Sequence, residues 1–261
     1  MPLPPVRRSR PPVSRCCRPS RGAEALEGIE HALGLEAGDA DAIRLSLLVA
    51  SVGTLASLPL AVLVAVALAR GRFPGKILLD GLVHLPLVLP PVVTGYLLLI
   101  AFGRRGIFGP TLESCCGLVF SFRWTGAALA AGIMGFPLMV RAIRLSIEAV
   151  DRRLEAAAET LGASRIGAFF AVTLPLSLPG VLAGAVLAFA KALGEFGATI
   201  TFVSNIPGET RTLPAAIYTL TQTPGGDAAA GRLVLIAIAL SLGALILSEL
   251  LARRLSARIA G

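Results

Sequence analysis

Residues 151–175, DRRLEAAAETLGASRIGAFFAVTLP, form the one long amphipathic polar insert in a chain otherwise dominated by apolar segments. Leu154, Ala157, Ala158 and Leu161 recur at helical spacing on one face, and Arg152, Glu155 and Glu159 fall on the other. Gly162 is placed to turn the chain, because glycine tolerates the left-handed backbone that ends helices. Ser164 is placed to cap a second helix with Ile166, Phe169, Phe170 and Thr173 as its apolar stripe, and Pro175 is expected to stop it. A helix-turn-helix hung between apolar segments is a docking handle, and the rest of the chain is read around it.

The composition says what the handle hangs from. With 55% hydrophobic residues and a mean hydropathy of +0.78, the 261 residues are too apolar for a soluble domain, so the chain is expected to be an all-α polytopic membrane protein. Aromatic residues make up only 5%, and small residues carry much of the apolar count, which favours close helix packing. The net charge of +8 does not point to nucleic acid, since the basic residues sit in the first 22 positions and beside apolar spans. Cys16 with Cys17 and Cys115 with Cys116 are adjacent pairs that close no ordinary disulfide and match no metal-ligand spacing.

A hydrocarbon core about 30 Å thick needs about 20 helical residues. Five segments qualify, at about 43–69, 81–102, 124–140, 176–203 and 233–252. Before them, residues 1–38 are expected to be a disordered or untranslated tail, Pro- and Arg-rich at first and then acidic, with a possible short surface helix over 23–41. The basic residues of the loops set the orientation. Eleven lie on the side that holds 151–175 and five on the other, so the 151–175 loop and the C-terminus are expected in the cytoplasm and the N-terminus outside. The six arginines of the tail run against that rule. A start at Leu26 or Leu33 on a non-AUG codon resolves the conflict, and N-terminal sequencing of natively expressed protein decides it.

Two spans carry unusual chemistry. Pro86, Pro90 and Pro91 interrupt the second and imply a kink, beside a pathway or merely shaping the packing. Lys191 and Glu195 lie mid-span in the fourth, four residues apart, where ionisable groups are costly. They read either as a structural ion pair or as part of a gate. The long loop after that span, with a short helix expected over 213–220, is either an outer platform for a soluble partner or an ordinary loop. No P-loop, nucleophile elbow, zinc-binding helix or paired-carboxylate site occurs, so neither catalysis nor a cofactor or metal is expected. His84, alone in an apolar span, reads as a packed residue.

The 151–175 stretch resembles the cytoplasmic signature of ABC importer permeases, a Glu-Ala-Ala run before a glycine and an Ile-x-Leu-Pro ten residues beyond it. Here Gly162 is followed at that distance by Val172, Thr173, Leu174 and Pro175. Ala156, Ala157 and Ala158 occupy the Glu-Ala-Ala positions, and Glu155 sits one residue early. Residues 73–99, 136–151 and 193–226 look closely like the permease subunit of the bacterial molybdate ABC transporter, and the resemblance spans about 39–252. It implies a type I importer permease fold over residues 39–261 and a homodimer in the inner membrane. It also implies two cytoplasmic ATPase subunits, which carry out the hydrolysis, and an extracytoplasmic molybdate-binding protein. The ATPase-coupling residues it implies are Glu155, Ala156, Ala157, Ala158, Gly162, Leu174 and Pro175.

An oxyanion crossing a low-dielectric region needs donors. Lys191 is the one basic residue deep in a span, and Thr94, Thr199, Thr201, Ser204 and Asn205 are candidate lining groups, with Glu195 a candidate gate. The other readings are a sulfate, thiosulfate or tungstate permease, a proton-coupled secondary transporter using Lys191 and Glu195 as its relay, and a membrane scaffold that transports nothing.

Overall fold

The computed structural model describes residues 37–260. The expectation for the tail before residue 37 lies outside them. Among the described residues every regular element is a helix. The first, α1 (Ala37–Arg70), starts early enough to take Asp39 and Asp41 into the helix that continues as the first span. Next come α2 (Lys76–Val88), α3 (Pro91–Phe102), the short α4 (Gly109–Cys116) and α5 (Trp124–Ala149). The 151–175 stretch holds α6 (Arg152–Thr160), α7 (Arg165–Ala168) and a π-type turn (Phe169–Thr173), which runs into α8 (Leu174–Leu193). The chain then makes α9 (Gly197–Val203), α10 (Leu213–Thr221) and α11 (Asp227–Ala260).

Four helices are long and apolar enough to cross a bilayer, and α2 with α3 makes a fifth if that bent pair is one span. The pair corrects the picture of a single kinked helix over 81–102, because the chain is bent by 115° between its two halves. The cause is local. Pro90 and Pro91 have no N–H to continue the hydrogen-bond ladder, and a residue before proline is driven out of the helical region, as Leu89 is at φ −70° and ψ 143°. The segment expected over 176–203 is likewise interrupted, since α8 ends at Leu193 and the helix resumes only at Gly197. The helices expected over 124–140 and 233–252 continue past their apolar stretches, to Ala149 and across 227–260. Hydropathy marks the part of a helix that suits lipid and is blind to its polar ends.

The core gathers on α5. Two-thirds of its apolar window is buried, against about a tenth for α11. One end of α5 packs Ala127, Ala131 and Met134 with Val49 of α1 and Phe202 of α9, and the other packs Met139, Ile143 and Ile147 with Ala65 and Leu68 of α1. Ser46 of α1 accepts the Leu213 amide at 2.6 Å and so ties the start of α10 to the first helix. Arg144 of α5 reaches Asp80 of α2 at 3.0 Å and Glu148 at 2.8 Å, and His84 holds the Asp80 carbonyl at 2.9 Å.

At the crossing of α3 and α9 a Cβ on Gly95 would stand 2.5 Å from the Ala198 carbonyl oxygen and 2.9 Å from the Thr201 Cβ. The nearest obstacle is backbone, which cannot swing aside. Gly95→Ala is therefore expected to destabilise the folded chain by about 1–3 kcal/mol through overpacking. Thermal unfolding of the detergent-solubilised protein checks this, and an unchanged midpoint would rule it out.

Candidate coupling site and pathway

The handle is built by capping. Asp151 accepts the Arg153 amide at 2.9 Å and starts α6. At its other end the Gly162 amide bonds to the Glu159 carbonyl at 3.0 Å and the Ala163 amide to the Ala158 carbonyl at 3.0 Å. This doubly closed end is the Schellman pattern, and Gly162 takes φ +95° within it. Ser164 accepts the Gly167 amide at 3.1 Å and caps the second helix as its position implies.

One feature differs from the sequence reading. Pro175 does not stop the second helix, because a continuous helical path runs from Arg165 to Leu193 through the π-type turn. Leu174 donates to the Phe169 carbonyl five residues back, so the wider turn falls just where Pro175 brings no donor. The way α6 faces bears on the docking role. Glu155 turns inward, 3.1 Å from Arg70 and accepting the hydroxyl of the buried Thr173, while Arg152 and Glu159 of the same face stay exposed. Leu154, Leu161, Ile166 and Phe170 are left exposed, Leu161 at 89% and Ile166 at 72%. Ala156, Ala157 and Gly162 are exposed beside them, while Ala158, Leu174 and Pro175 are half-buried. An apolar surface turned outward on a polar loop fits a protein partner, since isolated chains do not favour it.

The candidate pathway residues fall into two groups. Lys191 Nζ lies 2.6 Å from Glu195 Oε2, and the other oxygen of the buried Glu195 accepts the Ala198 amide at 3.1 Å. Glu195 thus neutralises a lysine and caps α9 at once, from the break between two helices. Close by, at the α3–α9 crossing, are the buried Thr94 and Thr199 and the half-buried Thr201, whose hydroxyl donates to the Gly197 carbonyl at 2.8 Å. Thr94 Oγ1 is buried without a partner among the described residues. Ser204 and Asn205 belong elsewhere. The Ser204 carbonyl accepts Thr210, and Asn205 bridges Thr219 at 2.8 Å and Arg211 at 3.1 Å, so both organise the loop before α10.

Sequence reasoning passed over Arg70, Thr210 and Arg211. Arg70 counted only as a loop charge, and no periodicity ties it to a carboxylate 85 positions on.

Residues 57–260 match the model of the family described as binding-protein-dependent transport system inner membrane component. The chain belongs to that family. Its relatives among these inner membrane components include the molybdenum transport system permease protein ModB of Escherichia coli K12, 62% identical over 81% of this chain and 93% of its own length. ModB of Haemophilus influenzae is 60% identical over 84% of this chain and 95% of its own. These bear out the resemblance read from residues 73–99, 136–151 and 193–226. A subunit of the bacterial alginate ABC transporter, solved in complex with an alginate pentasaccharide-bound periplasmic protein, shares the fold. Its TM-score is 0.67, its identity 19%, and the match covers 86% of this chain and 81% of that one. The chain is therefore a multi-pass inner-membrane transport component with an importer permease fold.

Proposed function

We propose that the chain is the membrane-spanning subunit of an ATP-driven molybdate importer, working by alternating access. The observation that carries the ATP coupling is the outward-facing apolar handle around Gly162, which the chain itself leaves uncovered. The occupant is a cleft of a separate cytoplasmic ATPase, and closure of an ATPase pair moves the handle and, through the helix beginning at Arg165, the spans. Two copies of this chain enclose the path, the N-terminus lies outside and the C-terminus in the cytoplasm, and an extracytoplasmic binding protein delivers the oxyanion to the face bearing α10. The family's description, the identity to the two molybdenum permeases and the periplasmic partner in the alginate complex support this reading.

For the path, Lys191 supplies a positive charge within a span, paired with the Glu195 carboxylate until an anion competes for it. Thr94, Thr199 and Thr201 at the α3–α9 crossing are the candidate donors along the path, and Ser204 with Asn205 shape the outer loop.

The test is uptake of labelled molybdate into liposomes holding the permease, its cognate ATPase and binding protein. Uptake should fall to background when the ATPase is inactivated. Excess sulfate should compete poorly and tungstate well, since tungstate shares the size and charge of molybdate. Uptake that persists without ATP hydrolysis would replace this reading with secondary transport, and efficient competition by sulfate would move the substrate.

A further inference from the structure

Two other stretches of the chain meet the Arg70 guanidinium, and a third joins them through Glu155. Arg70, the last residue of α1, donates from Nη2 to the Val150 carbonyl at 3.2 Å, just before the coupling loop begins. The same Nη2 lies 3.1 Å from Oε1 of Glu155 in α6. That carboxylate oxygen also accepts the hydroxyl of Thr173, which is fully buried in the π-type turn before α8. The Arg70 side chain is only 17% exposed and that of Glu155 25%, so water screens the pair weakly. The buried Nε of Arg70 has no partner among the described residues, so the contacts at Nη2 hold the group.

The need for such a clamp follows from the handle's own packing. Helix α6 has nine residues and buries none of them. A helix that short is marginal by itself, and without a buried face nothing apolar fixes its direction. A lever with a loose base absorbs a push instead of passing it on.

We propose that Arg70 is a positioning residue of the coupling, clamping the base of the handle to the end of α1, the end of α5 and the start of α8 so that they move as one body. This rests on the coupling function proposed above. Charge-assisted hydrogen bonds to one carboxylate supply stiffness that packing does not.

The test uses the full complex with ATPase and binding protein in liposomes. In Arg70→Met, amide hydrogen exchange over residues 152–160 should quicken by about tenfold, because that local opening loses its main restraint. Molybdate carried per ATP hydrolysed should fall by about fivefold or more, the range of ordinary coupling energies. Arg72→Met, at an exposed neighbour, should change neither readout. Arg70→Lys should recover little, since the lysine stem is shorter and its strongly hydrated ammonium lacks the pre-organised planar donors of a guanidinium. Adding Glu155→Gln to Arg70→Met should worsen exchange no further, as expected for two halves of one interaction. Unchanged exchange in Arg70→Met overturns the clamp, and quickened exchange with unchanged transport per ATP overturns its role in coupling. If Arg70→Met does not reach the membrane, Thr173→Val removes the third member and must show the same two changes. If the unmutated complex does not couple ATP to uptake, the coupling function fails, while the exchange measurement still decides the clamp.

Discussion

Gly162→Val is expected to abolish molybdate uptake while the protein inserts, folds and accumulates as before. At φ +95° a β-branched residue is disfavoured by about 1–2 kcal/mol, a cost that arises within the backbone itself. No neighbour intervenes, since a Cβ at Gly162 would meet nothing within 4 Å. The chain can therefore escape the strain only by turning differently, which breaks the two closing bonds from Gly162 and Ala163 and redirects the exposed Leu161. Because the turn is exposed, global stability should shift by no more than that strain. The loss falls on the apolar surface that the partner reads. Uptake and substrate-stimulated ATP hydrolysis in liposomes, beside the thermal midpoint in detergent, check the two halves of this expectation. Normal uptake would refute the docking role of the handle, and a large fall in the midpoint would assign Gly162 to folding.

Glu195→Ala is expected to act on folding first. It strands the Lys191 charge in a span and removes the acceptor of the Ala198 amide, so the break between α8 and α9 loses both side-chain contacts that Glu195 makes there. Breaking a buried pair from one side costs about 3–5 kcal/mol, and the lower end applies because Lys191 is one-third exposed. Yield and thermal midpoint should drop. Lys191→Met with Glu195→Gln should recover most of the loss, since the glutamine carbonyl still accepts the Ala198 amide and no charge remains. Uptake by the recovered double variant then divides the roles. Uptake restored would mean that the pair is structural, and uptake absent in a folded protein would give Lys191 to the anion. A proton relay through the pair predicts that pH-driven uptake without ATP disappears in the double variant, and ATP-dependent uptake surviving there would exclude it.

Much of this architecture is legible in the residues because local rules dominate where the chain is capped or broken. Gly162 and Ser164 announce a turn and a cap, and both carry out those parts in the structure. The paired prolines announce a break, yet its 115° angle is a tertiary outcome that no dipeptide specifies. Pro175 misleads for a definite reason, because a stop is read from the missing donor alone, whereas the wide turn before it absorbs that loss. The outward apolar side of α6 agrees with the docking handle read from the sequence, since the rule that apolar sides point inward assumes a chain that works alone. Arg70 and Thr173 are illegible locally, since their partner is brought to them only by the packing of α1 and α8 around α5.

The break after α2 bears on what surrounds the molecule. A helical carbonyl at Pro86 would look to the amide of residue 90, and that of Leu87 to residue 91, but both of those residues are proline and neither carries a hydrogen there. Hydrocarbon tails offer no donor in compensation, and each such oxygen left against them costs several kcal/mol. Pro90 and the neighbouring Val88 are nonetheless exposed in the single chain. At hydrocarbon depth such an elbow is expected to face another polypeptide or a column of water in the working assembly, and not lipid.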